Sequence, residues 1–269
     1  KRMIANFPSL FAGNTFIEAK SSIKTRCIMS MMAFCESLKE VNPQLVIAKE
    51  AAERYTYYIN NKDFEPAAKK QKKLWIDDFH AYTNENMPTD RRYGQRFTEN
   101  PFSDRVAEIK FGDAMYWVAE NMQDTTCEQD FFDLYTTDEL YKMASIVNYR
   151  MYIDHSHCPQ GAELGLNSAN NLLKKIIEEA ELSLAGKGPQ VTRRFGHDTA
   201  LLNFLFRIGI EGCHETMTEP KEFAVKWQLY KVAPMAANIQ MIFYRNAEGE
   251  TLVKFLLNEQ EALMPSLKP

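Results

Sequence analysis

The stretch Val191-Thr-Arg-Arg-Phe-Gly-His-Asp-Thr-Ala-Leu-Leu202 constrains this chain more than any other. Val191 to Phe195 predicts a short strand, Gly196 a tight corner, and Asp198 onward a helix. Leu201, Leu202, Phe204, Leu205 and Ile208 recur at helical spacing and give that helix an apolar face. His197 and Asp198 fall where the strand hands over to the helix N-terminus. Backbone N–H groups there lack partners, and the helix dipole favours an anion. Asp198 or Thr199 can equally cap the helix, a purely structural use of the same residues.

A second junction of the same kind lies near the start. Asn14 to Lys20 reads as a short strand, followed by Ser21-Ser-Ile-Lys-Thr-Arg26 and a helix from Cys27 to Val41. Ile28, Met31, Met32, Phe34, Cys35 and Leu38 recur every three or four residues along that helix. The serines are candidate caps. An arginine at a helix start is by itself ordinary; most are solvated or pair with a nearby acid.

Taken together, the two junctions resemble the histidine acid phosphatase family, which includes the phytases. Gly196-His-Asp-Thr199 after an apolar strand is similar to that family's second signature. The resemblance implies that His197 contacts the substrate phosphate and Asp198 protonates the leaving-group oxygen. Ser21, Ser22 and Arg26 match the family's strand, Ser/Thr turn and phosphate-binding arginine. Val232 to Tyr244 and Val253 to Glu259 look like the closing hairpin of the multiple inositol-polyphosphate phosphatase branch. That branch often has His-Ala-Glu where this chain has His197-Asp198-Thr199, the form seen in many phytases and acid phosphatases. The departure leaves the reaction type intact and bears on the substrate.

The fold this implies is α/β, a three-layer sandwich like the large domain of phosphoglycerate mutase, with an inserted helical subdomain. Residues 1–41 and 160–269 are expected to form the α/β domain and 42–159 the helical insertion. Within the insertion, Gln44 to Ile59 fits strand or helix, and Pro66 to Tyr82, Arg105 to Met122 and Thr137 to Tyr152 read as helices. Thr136-Thr-Asp-Glu139 has the form of an N-cap with first-turn acids. Gly161 to Ala185 reads as a long helix, and 238–245 and 251–257 as strands of a hairpin.

Basic residues gather in the expected insertion: Lys69, Lys70, Lys72 and Lys73 on a helix, and Arg91, Arg92 and Arg96 in a polar loop. One reading is a solvated surface. The other places Lys69, Lys70 and Arg92 over the mouth of a pocket for a highly phosphorylated substrate. Two look-alikes carry less weight. Asp154-His-Ser-His-Cys158 gathers metal-capable side chains without a partner group elsewhere. Arg92-Tyr-Gly-Gln-Arg96 imitates the family's first signature, Arg-His-Gly-x-Arg, with tyrosine where the nucleophile belongs.

The 269 residues carry 32 basic and 36 acidic side chains, a balance that argues against nucleic acid as the main partner. No apolar run approaches bilayer length. Five cysteines (27, 35, 127, 158 and 213) without a CxxC pair do not make a complete disulfide framework. The resemblance implies a periplasmic or secreted location, no metal or other cofactor, and a small phosphorylated partner such as an inositol polyphosphate.

Phosphomonoester hydrolysis needs an in-line nucleophile, cations around the equatorial oxygens and an acid at the leaving oxygen. A histidine nucleophile splits the displacement through a phosphohistidine. Arginine's planar, permanently charged fork suits the clamp. A carboxylic acid suits the alkoxide, a poor leaving group unless protonated. Yet His80, His155, His157, His197 and His214 are the only histidines, and none lies in Arg-His-Gly. The chain also begins Lys1-Arg-Met-Ile-Ala, without an initiator methionine. The expectation is that the segment carrying the nucleophile is missing and that this polypeptide alone does not turn over. Three alternatives stand beside the leading one: a non-catalytic phosphate-binding relative, a general acid phosphatase, and a helical interaction domain. The last requires that Arg26 and His197 lie apart.

Overall fold

A computed structural model of the chain describes residues 2–61, 65–88, 99, 101–155, 167–219, 222 and 225–267. Three parallel strands form its first sheet: β1 (Phe16–Ser21) in the middle, with β2 (Val46–Ala51) and β3 (Val191–Phe195) on either side. The register sets Ile17 opposite both Ile47 and Val191, and Lys20 opposite both Glu50 and Arg194. Because all three strands run the same way, Ser21, Ala51 and Phe195 end on one rim of the sheet. Three helices start from that rim: α2 (Thr25–Val41), α3 (Glu53–Ile59) and the helix that follows β3. The crevice outside the carboxyl ends of the strands is where open α/β sheets place their ligands.

Side-chain alternation along β1 decides what covers each face of this sheet. Ala19 turns to one side, where Met31 and Cys35 of α2 bury it and Phe195 packs alongside. Lys20 turns to the other, where the covering helix is α8 (Asn170–Leu184). The result is helix, sheet, helix, as expected for the α/β class.

Between α3 and α8 come α4 (Glu65–Lys72), α5 (Ile76–Asn86), α6 (Arg105–Asn121) and α7 (Thr137–His155). A short α1 (Arg2–Asn6) precedes β1. Here the structure corrects two expectations. Segment 46–51 is a strand, so the parallel sheet reaches into the stretch expected to be a helical insertion. The helix expected over 66–82 is two helices, broken just before Trp75, which is 2% exposed and anchors the break in the core. Met87, Tyr116, Tyr135, Met143 and Ile146 make a small core of their own among α5, α6 and α7.

The largest core joins these helices to the rest. Trp75, Tyr149, Tyr152 and Ile153 pack with Leu202, Phe204 and Leu205 of α9 (Asp198–Ile208). Burying one such aromatic or leucine side chain contributes about 2 kcal/mol. Gly209, at φ 72°, ends α9 in the left-handed region, and Ile210 N donates to Leu205 O at 3.1 Å to close the turn. A one-turn α10 (Leu229–Val232) then leads to an antiparallel sheet of β4 (Ile239–Arg245), β5 (Thr251–Leu257) and β6 (Gln260–Ala262), which rests on the same core. The hairpin expected from the sequence is there, extended by β6. Among the described residues no helix is long and apolar enough to cross a membrane.

Candidate active site

The two junctions meet at the rim. Ser22 N donates to Phe195 O at 3.1 Å, which carries the β1–β3 pairing one residue past β1 and brings Ser22 beside the Gly196 corner. From there Arg26 Nη2 lies 3.0 Å from His197 Nδ1, and Ser22 Oγ lies 3.2 Å from His197 Nε2. The Cys27 thiol donates to Gly196 O at 3.1 Å and sits 3.8 Å from His197 Nε2. Ile23 N donates to Thr56 Oγ1 at 2.8 Å, so α3 holds the turn between Ser22 and Arg26.

These contacts assign the imidazole tautomer. Guanidinium only donates, so Nδ1 must accept from Arg26, and a neutral ring then carries its proton on Nε2 and offers it to Ser22 Oγ. Burial, and then the Arg26 charge, hold His197 below the ordinary histidine range, against a smaller upward pull from Asp198. Arg26 and Ser22 thus flank His197 at a helix N-terminus, leaving the other guanidinium N–H groups and the Ser22 hydroxyl proton as donors. That is an arrangement for an anion.

Asp198 is exposed and opens α9, and its Oδ1 accepts from Thr199 N at 2.9 Å. His197 occupies the N-cap position without a side-chain cap bond. Lys24 likewise precedes α2 without capping it. The serines expected as caps are used differently: Ser21 Oγ donates to Ser22 O at 2.8 Å, and Ser22 Oγ faces His197.

A carboxylate fixes the two strands beneath the site. Lys20 and Arg194 lie directly opposite one another in the β1–β3 register. Glu179 of α8 sits between them, 2.8 Å from Lys20 Nζ and ion-paired with Arg194, while Glu18 adds a second contact to Lys20 at 2.7 Å. Burial pulls Lys20 down, but its hydrogen bonds to Glu179 and Glu18 outweigh that and leave it above its ordinary value.

Of the residues singled out from the sequence, the structure brings Ser22, Arg26 and His197 together and sets Asp198 next to them. Lys69 and Lys70 are exposed on α4, which packs against α7, and are not among the groups that contact His197. Arg92 lies outside the described residues, as do Arg91, Arg96, His157 and Cys158. Cys27, Thr56 and Glu179 carried no local signal in the sequence, because each acts through a partner distant along the chain. A cavity of about 380 Å³ opens near Ile210, Lys231, Leu257 and Glu261, past the far end of α9, and holds none of these groups.

A parallel α/β sheet whose rim gathers arginine, histidine and serine at two helix starts has the chemistry that suits an anion. The model of the histidine phosphatase superfamily (branch 2) matches residues 5–258, and the chain belongs to that family. Three crystal structures of Bifidobacterium longum multiple inositol polyphosphate phosphatase share its fold. The complex with inositol hexasulfate has a TM-score of 0.71 and 14% identity over 96% of this chain and 70% of that one. The apo form gives 0.68 and 16% over 97% and 71%. The phosphate complex gives 0.66 and 15% over 97% and 70%. No curated protein matches the chain.

Proposed function

We propose that the rim pocket receives one phosphate of an inositol polyphosphate, phytate-like in its charge, for hydrolysis of the phosphomonoester. The observation that carries this is the convergence of Arg26 and Ser22 on the two ring nitrogens of His197 at the strand ends. Arg26 would turn its fork onto the phosphate oxygens, with the His197 Nε2 proton and the Ser22 hydroxyl as further donors. A histidine nucleophile would form the N–P bond as the P–O bond to the inositol oxygen breaks. Asp198 would pass its proton to that oxygen, and water would then cleave the phosphohistidine. Lys69, Lys70 and Arg92 would gather outer phosphates. The solved neighbours, which carry inositol hexasulfate and phosphate, support the substrate class.

On this reading the attacking group is not among the described residues of the pocket. Both nitrogens of His197 are engaged, and Arg-His-Gly-x-Arg occurs nowhere in the 269 residues. This favours a second reading for the polypeptide taken alone, in which it holds phosphate without turning over. Calorimetry with inositol hexasulfate and with inorganic phosphate tests the pocket: binding that is lost in Arg26→Ala and Ser22→Ala supports it, and binding that ignores both substitutions sinks it. Incubation with phytate or p-nitrophenyl phosphate tests turnover, and phosphate release by residues 1–269 would overturn the second reading. Wherever turnover is measured, Asp198→Asn should slow poor leaving groups most, and equal slowing across leaving groups counts against Asp198 as the acid. An exported location, periplasmic or secreted, belongs to the same proposal; its support is the family resemblance, and cell fractionation tests it.

A further inference from the structure

One turn into α9, Asn203 is buried at 4% exposure. Its side-chain amide nitrogen lies 3.1 Å from Thr199 O, 3.2 Å from His155 O and 3.1 Å from His155 Nδ1, and its amide oxygen faces Ser168 Oγ. Two of these neighbours are carbonyls, which only accept, so nitrogen is assigned to that side of the amide. Thr199 immediately follows Asp198, and His155 is the last residue of α7. A single side chain thus fastens the end of α7 to the first turn of the helix that carries His197 and Asp198.

The side-chain part of this fastening depends on a neutral imidazole, while the contact with His155 O does not. Nδ1 accepts from Asn203, so a proton placed there would set two donors against each other and break the contact. The charged groups that reach His155 are Asp154 and Arg150 on α7 and Asp198 on α9, while Lys72 of α4 acts on Asp154. Burial outweighs the two carboxylates and keeps the ring below the ordinary histidine range.

We infer that His155 and Asn203 are positioning residues for the rim pocket, neutral His155 clamping the first turn of α9 through Asn203 and protonated His155 weakening that hold. What the clamp serves rests on the function proposed above; the clamp itself does not. The direction of its effect separates it from simple charge. Protonating His155, His197 or Asp198 adds positive charge or removes negative charge, and each alone would tighten an anion. Weakening that appears with His155 and is absent with His155→Asn reports loosening of α9, because the Arg26–His197 contact is the same in both proteins.

The test compares the wild-type chain with His155→Asn, which keeps an acceptor near the Nδ1 position and does not titrate. Amide hydrogen exchange in Leu201 to Asn203 should lose about tenfold protection in the wild type as pH is lowered from neutrality to the acid limit at which α2 stays protected, and not in the variant, the size expected for one hydrogen bond. Amides of α2 in the same molecule serve as the internal reference, so the wild type alone decides the question if the variant misfolds. Inositol hexasulfate, whose sulfates keep their charge, should bind both proteins alike near neutrality and the wild type about tenfold more weakly at that acid limit. Unchanged protection, the same pH profile in both proteins, or tighter wild-type binding at the acid limit would overturn the clamp. If neither protein binds the hexasulfate at any pH, the proposed function fails, and exchange still decides the clamp.

Discussion

Arg26 and His197 are 171 positions apart in the chain and 3.0 Å apart in space. Only the imidazole can accept in that pair, so the arginine chooses the tautomer and thereby turns Nε2 into a donor. A lysine keeps the charge and loses the planar fork that spans two phosphate oxygens. Arg26→Lys should weaken phosphate or inositol hexasulfate binding about tenfold, or about 1.4 kcal/mol, by calorimetry. Urea unfolding should move by less than about 0.5 kcal/mol, because the side chain is exposed. Unaltered affinity would remove Arg26 from the clamp on phosphate.

At the scale of elements, the corner between β3 and α9 explains its glycine. A Cβ on Gly196 would run into the Ile59 side chain and come within 3.0 Å of Ile59 O, at the end of α3. The backbone there cannot yield without moving α3, whose Thr56 holds the Ser22–Arg26 turn. Gly196→Ala should cost about 2 kcal/mol of stability, and Ile59→Ala in the same chain should return part of it, a coupling that a double-mutant cycle reads directly. Purely additive costs would mean the clash is relieved elsewhere. The start of α7 gives a simpler case. Glu139 Oε2 accepts from Thr136 N at 2.7 Å while Glu139 N donates to Thr136 Oγ1 at 3.3 Å, a reciprocal cap. Thr136→Ala should therefore cost about 1 kcal/mol in urea unfolding.

Across the whole molecule, buried charges bound the stable pH range from both sides. Lys20 is raised in the fold, so its ion pairs stabilise fully below its ordinary value of 10.5 and are lost as pH rises through the higher folded value. His155 and His197 are lowered, chiefly by burial, so their contribution is present above the ordinary 6.5 and is lost as pH falls through their folded values. Thermal melts should show a plateau between these limits, with the acid shoulder reduced in His155→Asn. Glu179→Gln leaves Lys20 and Arg194 facing each other without a shared carboxylate, and should cost about 3 kcal/mol. Anion affinity should fall in the same variant if the two strand ends separate.

Much of the fold was legible in the sequence because its signals are local. Apolar spacing marked α2 and α9, two strand-like segments at hairpin separation marked the β4–β5 hairpin, and Thr136 with Glu139 marked the start of α7. Segment 46–51 escaped because a short apolar run suits strand or helix equally until a neighbouring strand is in place to pair with it. The candidate site was legible as two separate junctions, each with a bland reading of its own. The family resemblance set both in one phosphate pocket, and the parallel register of β1 and β3 is the physical means, since it puts Ser22 beside Gly196 and Arg26 against His197. Only packing turned Ser22 from a helix cap into a partner of the imidazole, gave Gly196 its reason in Ile59, and brought His155 of α7 to Asn203 of α9. The sequence determined which segments are strands and helices and which residue types stand at their ends, because those depend on neighbours a few positions away. Tertiary structure decided which ends meet, because that depends on pairing and burial between segments far apart in the chain.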